Sequence, residues 1–223
     1  MQQPPEVSGT LRKFMLKVPE AINECSGIVV FGKLIKSIVF STDISILRNI
    51  NADAVIAVYP FTPQPIITQA IMMATDKPVF CGVGGGLTHG KRVQNLALHA
   101  EHQGAAGVVL NAPTENDVLK RVSDTVDIPA IITVVNDSEN IALRVLNGAK
   151  VFNVSAALNT PNIVAKIRKE FPEIPIIATG GQTEETIRNT INAGANAITW
   201  TPPTSGDIFK TIMEAYRNNE PHP

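Results

Sequence analysis

Apolar residues along the chain gather in short continuous runs, and two alternating kinds of punctuation open them. In the first, glycine or asparagine stands before alanine and an apolar run. The examples are Asn51-Ala52-Asp53-Ala54-Val55, Gly104-Ala105-Ala106-Gly107-Val108, Gly148-Ala149-Lys150-Val151-Phe152 and Gly194-Ala195-Asn196-Ala197-Ile198. In the second, proline opens the run, as in Pro78-Val79-Phe80-Cys81, Pro129-Ala130-Ile131-Ile132 and Pro175-Ile176-Ile177-Ala178. Glycine or asparagine just past a helix accepts the left-handed conformation that ends it. Proline suits the first residue of a strand, where its missing N–H breaks no ladder bond. Runs this short, continuous and rich in Val and Ile are what parallel strands covered on both faces require.

Interleaving the two sets predicts strands near 53–58, 78–82, 106–110, 129–134, 151–155, 175–178 and 197–200, with Ser37-Ile38-Val39-Phe40 ahead of them. The stretches between carry helical spacing. Ile66, Ile67, Ala70, Ile71 and Ala74 lie on one face of 62–75, and Val118, Leu119 and Val122 lie inside 114–124. Helices are also expected over 44–50, 138–147, 183–193 and 205–217, and Thr114 and Thr183 open 114–124 and 183–193 in capping patterns. Alternating strands and helices at this density predict an α/β fold, a closed (β/α)8 barrel of the TIM type, in preference to an open doubly wound sheet. Leu11, Phe14, Met15, Val18 and Ile22 share a helical face, so an N-terminal helix is expected to cover the bottom mouth. Gly27-Ile28-Val29-Val30-Phe31 reads equally as an extra strand or a buried connector. The expected organisation is a loose tail over 1–8, one barrel domain over 9–217 and a tail over 218–223.

Composition narrows the classes of function. Hydrophobic residues make up 44% of the 223 and charged residues only 17%, which fits a large core and argues against disorder. A net charge of -1 argues against a nucleic-acid partner recognised through the overall field. Cys25 and Cys81 are too few for a disulfide framework, which points to a reducing cytoplasm. No apolar run is long enough to span a membrane, and the start lacks the pattern of a signal peptide. No cluster of His, Asp, Glu or Cys has metal-ligand spacing, so neither a metal nor a cofactor is expected.

Ligands of such barrels bind beyond the carboxyl ends of the strands. The residues expected there are rich in amides, hydroxyls and glycine. Gly180 and Gly181 precede a helix start after the seventh strand, and Thr204, Ser205 and Gly206 follow the eighth. Free N–H groups at two helix N-termini suit a small anionic ligand; the alternative is that these glycines only turn the chain and Ser205 only caps. Gly84, Gly85, Gly86 and Lys91 belong to a loop that fits G-x-x-x-x-G-K yet ends in Arg92 where a nucleotide-binding loop has Ser or Thr. That loop reads either as an anion-attracting lip or as a solvated helix start. Asn111 and Asn153 complete the expected binding set. Asp43 and His89 are the candidate acid–base pair, with helix capping as the alternative for Asp43.

The stretch from Ile128 to Trp200 resembles the phosphate-binding aldolase-type barrels. The nearest pattern is that of 2-keto-3-deoxy-6-phosphogluconate aldolases, with more distant likeness to thiamin phosphate synthase and sugar-phosphate epimerases. The pieces that carry it are Ile128-Pro129-Ala130-Ile131-Ile132, Asn147-Gly148-Ala149, the block Val151 to Ala156, and Thr179-Gly180-Gly181. The resemblance implies a Schiff-base lysine on the sixth strand, but that position falls on Asn153, and asparagine forms no imine. Lys150 sits at the start of the strand. What remains is a binder of a small phosphorylated or carboxylated metabolite, with lyase or isomerase chemistry as the enzymatic form. A non-catalytic sensor of antiterminator type and a hydrolase are the alternatives, and a homo-oligomer is compatible with the sequence.

Overall fold

The computed structural model describes residues 15–222, together with Pro5, Val7 and Gly9. Two short strands, β1 (Ile28–Val30) and β2 (Lys33–Ile35), form an antiparallel hairpin. Eight strands then alternate with eight helices: β3 (Ser37–Phe40), α1 (Ile44–Arg48), β4 (Ala54–Ala57), α2 (Pro65–Ala74), β5 (Val79–Gly84), α3 (Lys91–His102), β6 (Gly107–Leu110), α4 (Asn116–Thr125), β7 (Ala130–Val134), α5 (Ile141–Leu146), β8 (Val151–Val154), α6 (Thr160–Glu170), β9 (Ile176–Thr179), α7 (Glu184–Asn192), β10 (Ala197–Trp200) and α8 (Ser205–Arg217). Strands β3 to β10 pair in chain order, all parallel, and β10 closes on β3, giving a (β/α)8 barrel. All eight expected strands are present within a residue or two of their predicted limits.

The apolar runs are continuous because each strand feeds two cores. One set of side chains, among them Val55, Cys81, Val108, Leu110, Ile132, Phe152, Val154 and Ile198, lies in the cluster shared with the helices. The alternate set, including Ile38, Ala54, Ile56, Phe80, Val109, Ile131, Val151 and Ile177, forms a separate cluster inside the barrel. A sheet covered on both faces can spare no polar alternation.

The bottom of the barrel differs from the sequence expectation. Residues 15–19 are not helical; Leu16 bridges to Ile50, and the Val18 N–H donates to Asn51 Oδ1 at 2.8 Å. A short 3-10 turn, Glu20–Glu24, follows and buries Ala21 and Ile22 in the outer core, beside α7. Leu11 and Phe14 of the expected helix lie outside the described residues. The β1–β2 hairpin seals the mouth instead: Ile28 and Val30 pack against the interior cluster above a small void also lined by Phe80, Ile131 and Ile177. The helical reading fails because Val18 and Ile22 are buried by an irregular segment laid along the outer wall, where apolar spacing says nothing about hydrogen bonding.

The hairpin turns through Phe31 (φ 47°) and Gly32 (φ 80°), between the paired residues Val30 and Lys33. Both central residues of such a two-residue turn take positive φ, which asparagine tolerates and a bulky aromatic resists. Phe31 is 74% exposed, so its ring offsets little of that strain. Phe31→Asn is expected to raise the urea midpoint, adding about 1 kcal/mol of stability. A lowered midpoint would mean that the ring makes a contact worth more than the backbone strain.

Candidate functional site

Above the apolar floor the barrel interior changes character. A cavity of about 240 Å³ opens toward the carboxyl ends of the strands, lined by Phe40, Ile56 and Val58 from β3, β4 and its following residue, and by Val109 from β6. Its other lining residues are Asn111, Thr133, Asn153, Ser155, Thr179, Thr199 and Thr201. One wall is therefore apolar, and the opposite one carries only amides and hydroxyls. No Asp, Glu, Lys, Arg or His side chain lines it.

Strand register explains how these groups converge. Thr133 stands opposite Asn153, and Thr179 opposite Thr199, so each polar residue continues an inward-facing row that begins with Ile131, Val151, Ile177 or Ala197. Asn153 Nδ2 donates to Thr133 Oγ1 at 3.3 Å, and Thr179 Oγ1 donates to Ser155 Oγ at 3.2 Å. Two oxygens in this set have no hydrogen-bond partner among the described residues: Asn153 Oδ1 and Thr199 Oγ1, on residues only 9% and 7% exposed. A buried polar atom without a partner costs about 1–3 kcal/mol. Unsatisfied oxygens on residues that line a cavity point to a site that a ligand or solvent completes.

The predicted site residues divide. Asn111 and Asn153 meet in this cavity, and Gly84 and Gly85 line an adjoining one of about 190 Å³ together with Tyr59, Phe61, Leu87 and Asn111. His89 is exposed and borders a third cavity of about 250 Å³, beside Gly85, Gly86, Thr88, Pro113, Thr114 and Glu115. Lys91 is exposed in the first turn of α3. Lys150, too, is exposed, at the start of β8 and away from the cavity, so no lysine reaches the Asn153 position.

Asp43 is not placed as a catalytic base. It is the N-cap of α1, accepting from the Ser45 N–H at 2.8 Å, the Ile46 N–H at 3.3 Å and the Ser45 hydroxyl at 2.7 Å. The Ser205 hydroxyl donates to its other oxygen. Burial by itself would raise its pKa, but the hydroxyls of Ser205 and Ser45 and the two N–H groups outweigh that and hold it below the usual carboxylate range. A carboxylate so fully engaged caps a helix and ties α1 to α8.

The helices that follow the two loops expected to hold an anion each begin with a side-chain capping box. At α7, Thr183 and Thr186 form a capping box that uses both of their N–H groups, and Glu184 and Glu185 occupy the first turn. A methyl group at Gly180 would come within 2.7 Å of Ile198 Cγ2, and Gly181 has φ 84° with its missing side chain facing Thr186. Both glycines serve the turn and its packing. At α8, Thr204 and Asp207 form a second box, with the Asp207 carboxylate accepting from the Thr204 N–H at 3.0 Å. Asp43 stands against Ser205, beside Gly206. Carboxylates already supply the negative charge that these helix ends attract.

Thr133 and Thr199 were missed because each sits inside an apolar strand, where only the alternation Ile131-x-Thr133 and Ala197-x-Thr199 marks an inward row turning polar. Both thiols are core groups: burial pushes Cys25 up to about 11 and Cys81 to about 12. Among the described residues, no helix is long and apolar enough to cross a membrane.

Comparison with known proteins locates the fold more broadly. No family model and no curated protein matches the chain. Solved structures do. A 2,3-dimethylmalate lyase, a member of the PEP mutase/isocitrate lyase superfamily, superposes with TM-score 0.63 at 12% identity, over 90% of this chain and 83% of that one. A phosphonopyruvate hydrolase in complex with oxalate and Mg++ gives 0.62 at 10%, over 82% and 83%. The glycerol uptake operon antiterminator regulatory protein from Listeria monocytogenes str. 4b F2365 gives 0.58 at 15%, over 76% and 92%. Identities this low establish a shared barrel and nothing finer. The cavity carries no carboxylate, imidazole or thiol, and no three such groups cluster among the described residues.

Proposed function

We propose that the protein binds a small, oxygen-rich metabolite, carboxylated or phosphorylated, in the cavity at the top of the barrel. The observation that carries this is the pair of buried, unpartnered oxygens, Asn153 Oδ1 and Thr199 Oγ1, on residues that line a space of about 240 Å³ among hydroxyls and amides. That volume lies at the small end of ligand sites, which suits a ligand of a few carbons and not a nucleotide. Phe40, Ile56 and Val58 would take its apolar side. Hydroxyl and amide groups orient such a ligand by hydrogen bonds without contributing a counter-charge.

The cavity's neutrality supports recognition without chemistry, in the manner of a metabolite sensor, and the antiterminator regulatory protein among the structural neighbours is in keeping with that. A lyase or isomerase reading rests on the enzymes among them, while both candidate acid–base groups stand outside this cavity, Asp43 as a helix cap and His89 on a neighbouring one. Turnover of a bound carboxylate, followed by NMR and lost in Asn153→Leu, would select the enzyme.

The site is tested with Asn153→Leu. Leucine has nearly the same volume and removes an unsatisfied oxygen, so stability is expected to rise by about 1 kcal/mol. Binding of oxalate or pyruvate, measured by calorimetry, is expected to fall at least tenfold, about 1.4 kcal/mol. A residue kept for folding alone would show the opposite sign in the first measurement. Absence of carboxylate binding in the wild type, or undiminished binding in the variant, would overturn the reading.

A further inference from the structure

We propose a second site, for a phosphate-class anion, in the cavity between the N-termini of α3 and α4. It is distinct from the barrel-axis cavity and is bounded by Gly85, Gly86, Thr88, His89, Thr114 and Glu115, with a volume of about 250 Å³. Its most telling group is the Thr114 hydroxyl. Thr114 is 5% exposed, it lines this cavity, and its Oγ1 has no hydrogen-bond partner among the described residues. The Thr114 carbonyl is meanwhile taken by the guanidinium of Arg144, which also binds Ala112 O and Asn116 Oδ1. The backbone behind the hydroxyl is thus fixed, while the hydroxyl itself has no partner among the described residues.

Two helix starts border the same space. Helix α3 has twelve residues with Gly90 as its N-cap, and α4 has ten with Glu115; neither receives a side-chain cap. The first N–H groups of an uncapped helix lack intrahelical acceptors and carry the positive end of its dipole. This contrasts with α7 and α8, which begin with capping boxes, although α4 carries Glu115 at its N-cap and Asp117 in its first turn. Lys91 and Arg92 open α3 and form no ion pair among the described residues. The loop that leads there runs from β5 through Gly85-Gly86-Leu87-Thr88-His89-Gly90 to Lys91, turned by a Gly85 N–H bond to Thr88 O at 2.9 Å. The G-x-x-x-x-G-K spacing therefore does lie between a strand and a helix, and Gly86 and Gly90 leave open space where side chains would stand. Glu115 is the opposing charge at the rim, and it is exposed.

Titration calorimetry of inorganic phosphate into the full chain at low ionic strength is expected to show one saturable site. Thr114→Val should weaken it about tenfold. Lys91→Glu, on an exposed position where folding is not at stake, should weaken it at least as much, and Glu115→Gln should tighten it. Ser205→Ala and Asn153→Leu should leave it unchanged, which separates this site from the paired loops after β9 and β10 and from the barrel-axis reading. Glycerol 3-phosphate as competitor distinguishes the source: tighter binding than phosphate assigns the phosphoryl end of a larger molecule, weaker binding assigns free phosphate. No saturable phosphate binding, or a loss confined to Ser205→Ala, overturns the proposal.

Discussion

Arg144→Ala is expected to lower the stability of the chain by about 3–5 kcal/mol, the range for breaking a buried ion pair from one side. The side chain is 7% exposed and its Nε donates to Glu139 Oε1 at 2.7 Å. Its other nitrogens reach the carbonyls of Thr114 and Ala112 and the amide oxygen of Asn116. Removal leaves a half-buried carboxylate without its partner and two carbonyls without donors. Arg144→Lys should recover less than half of the loss, because an ammonium cannot span acceptors spread over a planar fork. Urea denaturation reads both variants, and an Arg144→Ala loss under 1 kcal/mol would show that solvent replaces the guanidinium at little cost. The same substitution frees the segment 112–116, which carries Asn111's neighbours and the Thr114 wall, so weaker phosphate binding should accompany it.

Phe152→Ala should be comparably severe, about 3–5 kcal/mol, with the thermal midpoint lowered on the order of 10 °C. Phe152 is fully buried in the outer core between β8 and the helices, and its removal opens a void that close-packed neighbours cannot fill. Its neighbour Asn153 faces the other way. One step along the strand thus separates a residue whose loss harms folding from one whose loss harms binding, because successive side chains of a strand take opposite faces. Calorimetric scanning of the two single variants checks this, and equal destabilisation by Phe152→Ala and Asn153→Leu would refute the division.

The barrel was legible because its strands obey a local rule. A strand buried on both faces must be short, apolar and interrupted at both ends, and the glycine, asparagine and proline signals stand at those ends. Helix limits followed from caps such as Thr183, which the structure retains in a capping box, whereas α4 starts after Glu115 with no side-chain cap from Thr114. Thr204 and Ser205 were taken as donors to a guest, whereas Asp207 and Asp43 reach them first. Asp207 is four positions into the same helix-start segment and visible in the sequence. Asp43 lies 162 residues from Ser205, and only barrel closure brings the first strand's loop beside the last.

The order of residues alone was sufficient for the count of strands, their parallel burial and the polar bias of the upper mouth, since each of these depends on neighbours a few positions apart. It was also sufficient to deny an imine at position 153, because the side chain there is an amide wherever the chain puts it. Which oxygens lack partners, which helix ends are already neutralised and what seals the bottom were decided by contacts between distant segments. Those depend on where the sheet closes and how each loop folds over it. Charge and hydrogen-bonding capacity belong to a residue, but whether they are spent internally or left for a ligand belongs to the folded chain.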